Sequence, residues 1–139
     1  MGASNMRKFF LVLSCTTLVF ALNVESLAQR IPDCVIVTSR NASAQEQLAA
    51  KEVRRYVYLR TGRLLGIEHA DKLQAKAKKA IVVGTKQSPL LQQLDQALAA
   101  RLTGLKPEEF LLHTITSGGR TVVVIAGGNE TGTLYGAYR

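Results

Sequence analysis

Residues 121–126, Thr-Val-Val-Val-Ile-Ala, form a β-branched run near the end of the sequence and are followed directly by Gly127 and Gly128. Such a run is typical of a buried strand, and the small and polar residues after it indicate a turn that enters a helix. The remaining residues allow about two helical turns, and so short a helix is stable only when tertiary contacts hold it. We therefore expect residues 129–139 either to dock tightly on a sheet or to continue into a longer polypeptide, and we favour the second interpretation.

Two more apolar runs, at residues 34–38 and 80–84, predict buried strands. Between them, Ser43 and Glu46 match a capping box, in which each side chain bonds to the backbone amide of the other residue. The pattern predicts a helix that begins after Ser43 and has its apolar residues at helical spacing. It ends at Gly62, since glycine readily adopts the left-handed conformation of a helix C-cap.

A second long helix is predicted after Ser88 and Pro89, because serine is a frequent N-cap and proline is favoured at the first helical position. The apolar stripe of this helix, which ends ahead of Gly104, consists of Leu90, Leu91, Leu94 and Leu98. Upstream of it, residues 64–67 predict a short strand and residues 71–79 predict a basic loop.

Ser117-Gly118-Gly119-Arg120 joins two extended runs, residues 109–116 and 121–126, and this combination predicts a β-hairpin. The predicted order is strand, helix, strand, strand, helix, hairpin and the start of a helix. This order indicates an α/β domain with a mixed sheet, parallel where helices cross over and antiparallel at the hairpin.

The first residues have the pattern of a secretory signal, with Arg7 and Lys8 ahead of an apolar stretch and a small-residue site that ends at Ala28. We predict a signal peptide over residues 1–28 and an exported domain, periplasmic or extracellular, over residues 29–139. The apolar stretch is shorter than the roughly 20 residues of a membrane-spanning helix, so no membrane attachment is expected after cleavage. A weak lipoprotein-like site ends at Cys15, and the apolar residues that follow it argue against processing there.

Cleavage after residue 28 would leave Cys34 as the only cysteine, so the mature domain could form no internal disulfide. Because Cys34 lies beside Val35, we interpret it as a small buried residue rather than a nucleophile. His69 and His113 stand far apart in the sequence, and no pair of cysteines or histidines has the spacing of metal ligands. We therefore predict no metal and no cofactor.

The net charge of +8 raises the question of an acidic partner. The basic residues are spread along the first helix and the 71–79 loop, with few aromatic residues to stack on bases, so we predict no nucleic-acid binding. An alternative stays open, in which the chain is a free-standing exported module that binds acidic glycans. Its contacts would be Lys76, Lys78, Lys79 and the arginines of the first helix.

The glycine-rich turn from Gly127 to Gly132 could cradle a phosphate at a helix N-terminus, which makes a nucleotide-binding α/β protein a third possibility. Neither the dinucleotide fingerprint nor the P-loop pattern is matched, and a structural turn in which Asn129 or Thr131 caps the helix is the better interpretation. Glu108 and Glu109 would point to opposite faces of a strand. We therefore predict no catalytic residues in this chain.

Four blocks of residues carry a family resemblance through their order and spacing. They are Ala49-Ala50-Lys51-Glu52-Val53-Arg54-Arg55-Tyr56 with Thr61-Gly62, Ala80-Ile81-Val82-Val83-Gly84, Glu108-Glu109-Phe110-Leu111-Leu112, and Val123 to Gly127 running into the final Gly132-Thr133-Leu134-Tyr135-Gly136-Ala137-Tyr138. The sequence resembles the N-terminal accessory domain of α-glucuronidases, and it is similar to the domain ahead of the catalytic barrel in β-N-acetylhexosaminidases and related glycoside hydrolases.

This resemblance implies a two-layer α/β domain with a mixed sheet, whose last helix leads into a (β/α)8 barrel that carries the catalytic carboxylates. No catalytic residue can be assigned here, so we expect a non-catalytic accessory domain of a secreted enzyme of carbohydrate metabolism, truncated before its barrel and inactive alone. Tyr135 and Tyr138 would pack the final helix on the sheet or on that barrel. Gly132 and Gly136 would permit close approach.

Overall fold

The computed structural model describes residues 33–73 and 78–139, and the predicted signal peptide lies outside these residues. The elements in chain order are β1 Cys34–Thr38, α1 Ala44–Thr61, β2 Ile67–His69, β3 Lys79–Thr85, α2 Pro89–Gln92, α3 Gln96–Thr103, β4 Phe110–Ser117, β5 Arg120–Gly127 and α4 Glu130–Tyr138. No helix in these two ranges is long and apolar enough to span a bilayer.

The five strands form one sheet with the order β2-β1-β3-β5-β4. The pairs β1–β2, β1–β3 and β3–β5 are parallel, and the β4–β5 pair is antiparallel. The prediction of an α/β domain with a mixed sheet is therefore confirmed.

Apolar side chains alternate between the two faces of the sheet, as the geometry of a strand requires. Ile36 and Val83 lie on the face covered by α1 and α4, whereas Val37 and Val82 lie on the face covered by α2 and α3. All four side chains are almost fully buried. Because helices cover both faces, the domain has three layers where the family resemblance implied two.

Helix α1 begins and ends as the sequence predicts. The Ser43 hydroxyl accepts from the Glu46 amide at 3.2 Å, and the Ser43 amide donates to a carboxylate oxygen of Glu46 at 2.8 Å. At the other end, Gly62 has a φ of 68° and its amide donates to the carbonyl oxygen of Tyr58. Local capping chemistry therefore fixes both ends of this helix.

The second predicted helix is wrong as a single element, because the chain breaks between Gln92 and Gln96 into α2 and α3. Asp95 provides the break: its carboxylate accepts from the Leu98 amide at 2.8 Å and caps α3. Ser88 makes no side-chain capping bond, and its buried hydroxyl has no partner among the described residues.

Strand β2 lies further along the chain than the predicted strand at residues 64–67. Its position is set by pairing with β1, in which Ile36 lies opposite Ile67 and Thr38 lies opposite His69. The predicted hairpin is confirmed: Gly118 and Gly119 have φ values of 57° and 75°, as both central residues of a type I′ turn require.

Candidate functional site

The carboxyl ends of β1, β3 and β5 meet at one edge of the sheet, which is where α/β domains commonly bind ligands. Glu46 lies at this edge and is only 7% exposed. One carboxylate oxygen accepts from the Thr85 amide at 2.8 Å, just as the other accepts from Ser43. The carboxylate thus joins the start of α1 to the end of β3, and both oxygens are held by backbone rather than offered to a substrate.

The glycine-rich turn after β5 lies at the same edge and is filled by the chain itself. The Gly128 amide donates to the carbonyl oxygen of Glu109 at 2.8 Å. A Cβ atom at Gly128 would overlap the carbonyl oxygen of Lys106, and one at Gly132 would overlap that of Glu109. These glycines therefore allow the backbone of segment 106–109 to pack directly against the turn.

Asn129 caps α4, as one of the two sequence alternatives predicts. Its side-chain oxygen accepts from the Gly132 amide at 2.8 Å and from the Glu108 amide at 3.1 Å. One side chain thus satisfies a backbone donor at the start of α4 and another in the segment before β4. With its glycines and its cap engaged in packing, the turn does not support the nucleotide-binding alternative.

The argument that Glu108 and Glu109 occupy a strand is wrong, because both residues precede β4. Glu108 has a φ of 66°, in the left-handed region. The Glu109 carboxylate accepts from the Lys106 amide at 2.8 Å. Both side chains are exposed, and the Glu109 carboxylate orders the 106–109 turn.

Neither histidine joins other described residues in a metal-binding cluster. His69 is exposed in β2, and Nδ1 of His113 lies 3.0 Å from the Arg101 guanidinium. Within residues 33–73 and 78–139, no cluster of three histidine, cysteine or acidic side chains could hold a metal ion. Burial raises the pKa of the Cys34 thiol, and the positive charges of Arg63 and Lys79 oppose that shift. Cys34 therefore has less thiolate than an ordinary cysteine, which is the opposite of an activated nucleophile.

The basic residues of the glycan-binding alternative are distributed over separate elements. Lys78 and Lys79 are exposed at the start of β3, and Lys76 lies outside the described residues. On α1, the Arg55 guanidinium pairs with Glu52 at 2.9 Å and lies 4.6 Å from the centre of the Tyr56 ring. The positive charge of Arg55 is thus already partnered by Glu52 and Tyr56 within the helix.

Large apolar side chains are exposed on the α1–α4 side of the sheet, and we call this surface the aromatic face. It consists of Tyr56, Phe110, Leu112, Tyr135 and Tyr138. Tyr138 meets Tyr56 edge to face, with ring centres 6.5 Å apart and ring planes at 88°. This pair ties α4 to α1, and half of the Tyr138 surface remains in contact with solvent.

A cavity that the sequence did not predict lies on the other face of the sheet, at the hairpin end. Its volume is about 440 Å³, and its lining comes from the segment before β3, from α2 and the residues after it, and from the β4–β5 hairpin. Because these segments are distant in the sequence, no local pattern could have indicated it.

A family model described as "Glycosyl hydrolase family 67 N-terminus" matches residues 22–139, which include all of the described residues. The chain belongs to this family. The family 67 N-terminal domain is the one found in α-glucuronidases, so the resemblance seen in the sequence is confirmed. It follows that the chain is an accessory domain of a glycoside hydrolase. No match was found among curated proteins.

Proposed function

We propose that this family 67 N-terminal domain is exported and packs, through its aromatic face, against the catalytic part of the same enzyme. The proposal includes a signal peptide at residues 1–28, an accessory domain at residues 29–139 and a catalytic (β/α)8 barrel beyond it. The family description supports the order, since an N-terminal domain is one that other parts of an enzyme follow.

The aromatic face carries this proposal. Tyr135 and Tyr138 are 49% and 50% exposed, although both lie on a helix whose opposite side is buried. Beside them, β4 is an edge strand that presents Phe110 and Leu112 to solvent. Contiguous apolar patches and uncovered edge strands are typical of surfaces that another protein element covers. Tyrosine is also enriched among the residues that dominate binding energy at interfaces.

In this proposal the domain packs against the catalytic part of the enzyme and supplies no catalytic residue. Among the described residues the most buried carboxylate is that of Glu46, which is held by two backbone amides, and the carboxylate of Glu109 is held by another. The hydrolytic acid and base would therefore belong to the barrel, and the domain alone would not cleave glycosidic bonds. The free-standing glycan-binding module remains the competing function, and it requires no partner at the aromatic face.

The test begins with the reading frame beyond the codon for Arg139. If it continues, the downstream part is produced separately, mixed with this chain, and the complex is measured by calorimetry. We expect Tyr138→Ser to weaken association by about thirtyfold, the effect of a hot-spot residue worth about 2 kcal/mol. Tyr58→Ser is the matched control, because Tyr58 is also 50% exposed. It lies two positions beyond Tyr56 on α1, and residues at this spacing do not share a helix face.

Equal losses for the two variants, or no complex between the wild-type parts, would contradict docking through the aromatic face. Export is tested in the same preparation by sequencing the N-terminus of the secreted product, which should begin at Gln29. Glycosidase turnover by this chain alone would contradict the assignment of catalysis to the barrel.

A further inference from the structure

Helix α1 carries two leucines and two charged residues on the side that faces away from the sheet. We call these four residues the α1 stripe: Leu48, Glu52, Arg55 and Leu59. Their spacing of four, three and four residues keeps the side chains within about 60° of one another around the helix axis. The opposite side of the helix holds its buried apolar residues, Ala49, Ala50 and Val53.

The two ends of the α1 stripe are apolar and exposed. Leu48 is 42% exposed and Leu59 is 64% exposed. A single exposed leucine is ordinary on a protein surface. Two leucines on one helix face, with an ion pair between them, instead make a surface on which a second helix can pack.

The α1 stripe reads the same from both ends, as leucine, charge, opposite charge and leucine. A twofold axis that crosses α1 between Val53 and Arg54 would bring a second α1 alongside in the antiparallel direction. At that position Leu48 lies opposite Leu59 of the second copy, and Glu52 lies opposite Arg55 of the second copy. The stripe therefore complements an inverted copy of itself in both apolar contact and charge.

The charged pair at the centre of the stripe can accept a second pair. The Nε and NH2 groups of Arg55 both lie 2.9 Å from the Oε2 atom of Glu52. The Oε1 atom of Glu52 accepts no hydrogen bond from the described residues, and a guanidinium has five N–H donors. Two glutamates and two arginines can therefore alternate around the axis while each helix keeps its own ion pair.

We propose that the α1 stripe is a self-association surface, on which a second copy of this chain docks antiparallel about a twofold axis. The charges select the direction, because a parallel pair would set Glu52 beside Glu52 and Arg55 beside Arg55. The leucines supply the apolar contact on either side of the axis. None of the four residues belongs to the aromatic face, so this association goes beyond docking to the catalytic part and does not depend on it.

The test is sedimentation equilibrium of the purified chain in salt at about 0.15 M, where the Debye length of about 8 Å screens the repulsion between two positively charged copies. We expect a reversible dimer with a dissociation constant of about 0.1 mM, as a small interface gives. Leu59→Ser should weaken it about tenfold, since each dimer loses two leucines. Leu64→Ser is the matched control: Leu64 is 70% exposed but lies beyond the end of α1, and its loss should leave the dimer unchanged.

Charge reversal separates a contact between copies from the ion pair within each helix. Glu52→Arg would place four positive groups at the axis, and Arg55→Glu would place four negative groups there, so each variant alone should be monomeric. An equimolar mixture of the two should form a mixed dimer with a dissociation constant within about threefold of the wild-type value. Neither variant retains the ion pair within its helix, so a stabilising effect inside one chain cannot produce this recovery.

Far-UV circular dichroism checks that each variant keeps its helices, as expected for substitutions on the solvent side of α1. A wild-type chain that stays monomeric up to about 1 mM would overturn the proposal. So would a mixture of the two charge variants that does not associate, a charge variant that dimerises alone as well as the wild type, or equal losses in Leu59→Ser and Leu64→Ser.

Discussion

Replacing Glu46 with glutamine tests how the carboxyl edge of the sheet is held together. In the wild type, one oxygen accepts from the Ser43 amide at the start of α1, and the other accepts from the Thr85 amide at the end of β3, both at 2.8 Å. Glutamine has the same shape but only one acceptor oxygen. Since glutamine also fits a capping box, we expect it to keep the Ser43 bond and to turn its NH₂ group towards the Thr85 amide.

The expected loss of stability follows from this geometry. A hydrogen bond to a charged group contributes about 1.5–3 kcal/mol, and a buried donor without an acceptor costs a similar amount. With Glu46 only 7% exposed, water cannot readily replace the lost acceptor. We therefore expect Glu46→Gln to lower the free energy of unfolding by about 2–3 kcal/mol.

The assay is urea unfolding followed by far-UV circular dichroism, with midpoints compared at a common slope. Glu52→Gln is the matched control, because it makes the same change on the same helix at a surface pair with Arg55. Such a pair is worth about 0.5 kcal/mol. Hydrogen exchange at Thr85 should accelerate in Glu46→Gln only. Equal midpoint shifts in the two variants, with unchanged exchange at Thr85, would refute the reasoning.

Two further predictions concern close packing and helix capping. Gly128→Ala should prevent folding or cost more than about 3 kcal/mol, because its Cβ would lie 2.7 Å from the carbonyl carbon of Lys106. Gly66→Ala, where the added Cβ meets nothing within 4 Å, should change the unfolding midpoint little. Asp95→Ala should cost about 1 kcal/mol in the same assay through loss of an N-cap, whereas Ser88→Ala should be neutral or stabilising because it removes a buried hydroxyl that has no partner among the described residues. A larger loss for Ser88→Ala than for Asp95→Ala would contradict the capping assignment.

The elements that the sequence predicts well are those that are fixed by contacts between residues close together in the chain. The capping box of Ser43 and Glu46, the left-handed Gly62 and the paired glycines 118 and 119 each act within a few residues. The strand position of β2 depends instead on its register with β1, far away in the chain. The composition of residues 64–67 alone therefore could not place β2.

The break between α2 and α3 shows a second limit of prediction from the sequence. The leucines on either side of it keep helical spacing, so the apolar pattern continues through Asp95 without interruption. Only the capping bond to Leu98 shows that the helix restarts there. The cavity could not be predicted from the sequence either, since its lining residues Lys72, Gln93 and Arg120 come together only when three distant segments meet at the sheet.

The central position of β3 has a consequence for synthesis. This strand pairs with β1 on one side and with β5 on the other, yet α2, α3 and β4 are all translated before β5. Until residues 120–127 leave the ribosome, Ile81, Val82 and Val83 belong to a strand with one unpaired edge, and such edges invite wrong pairing. We therefore expect chaperones that hold unfolded chains to act on β3 until the hairpin closes and β5 pairs with this edge.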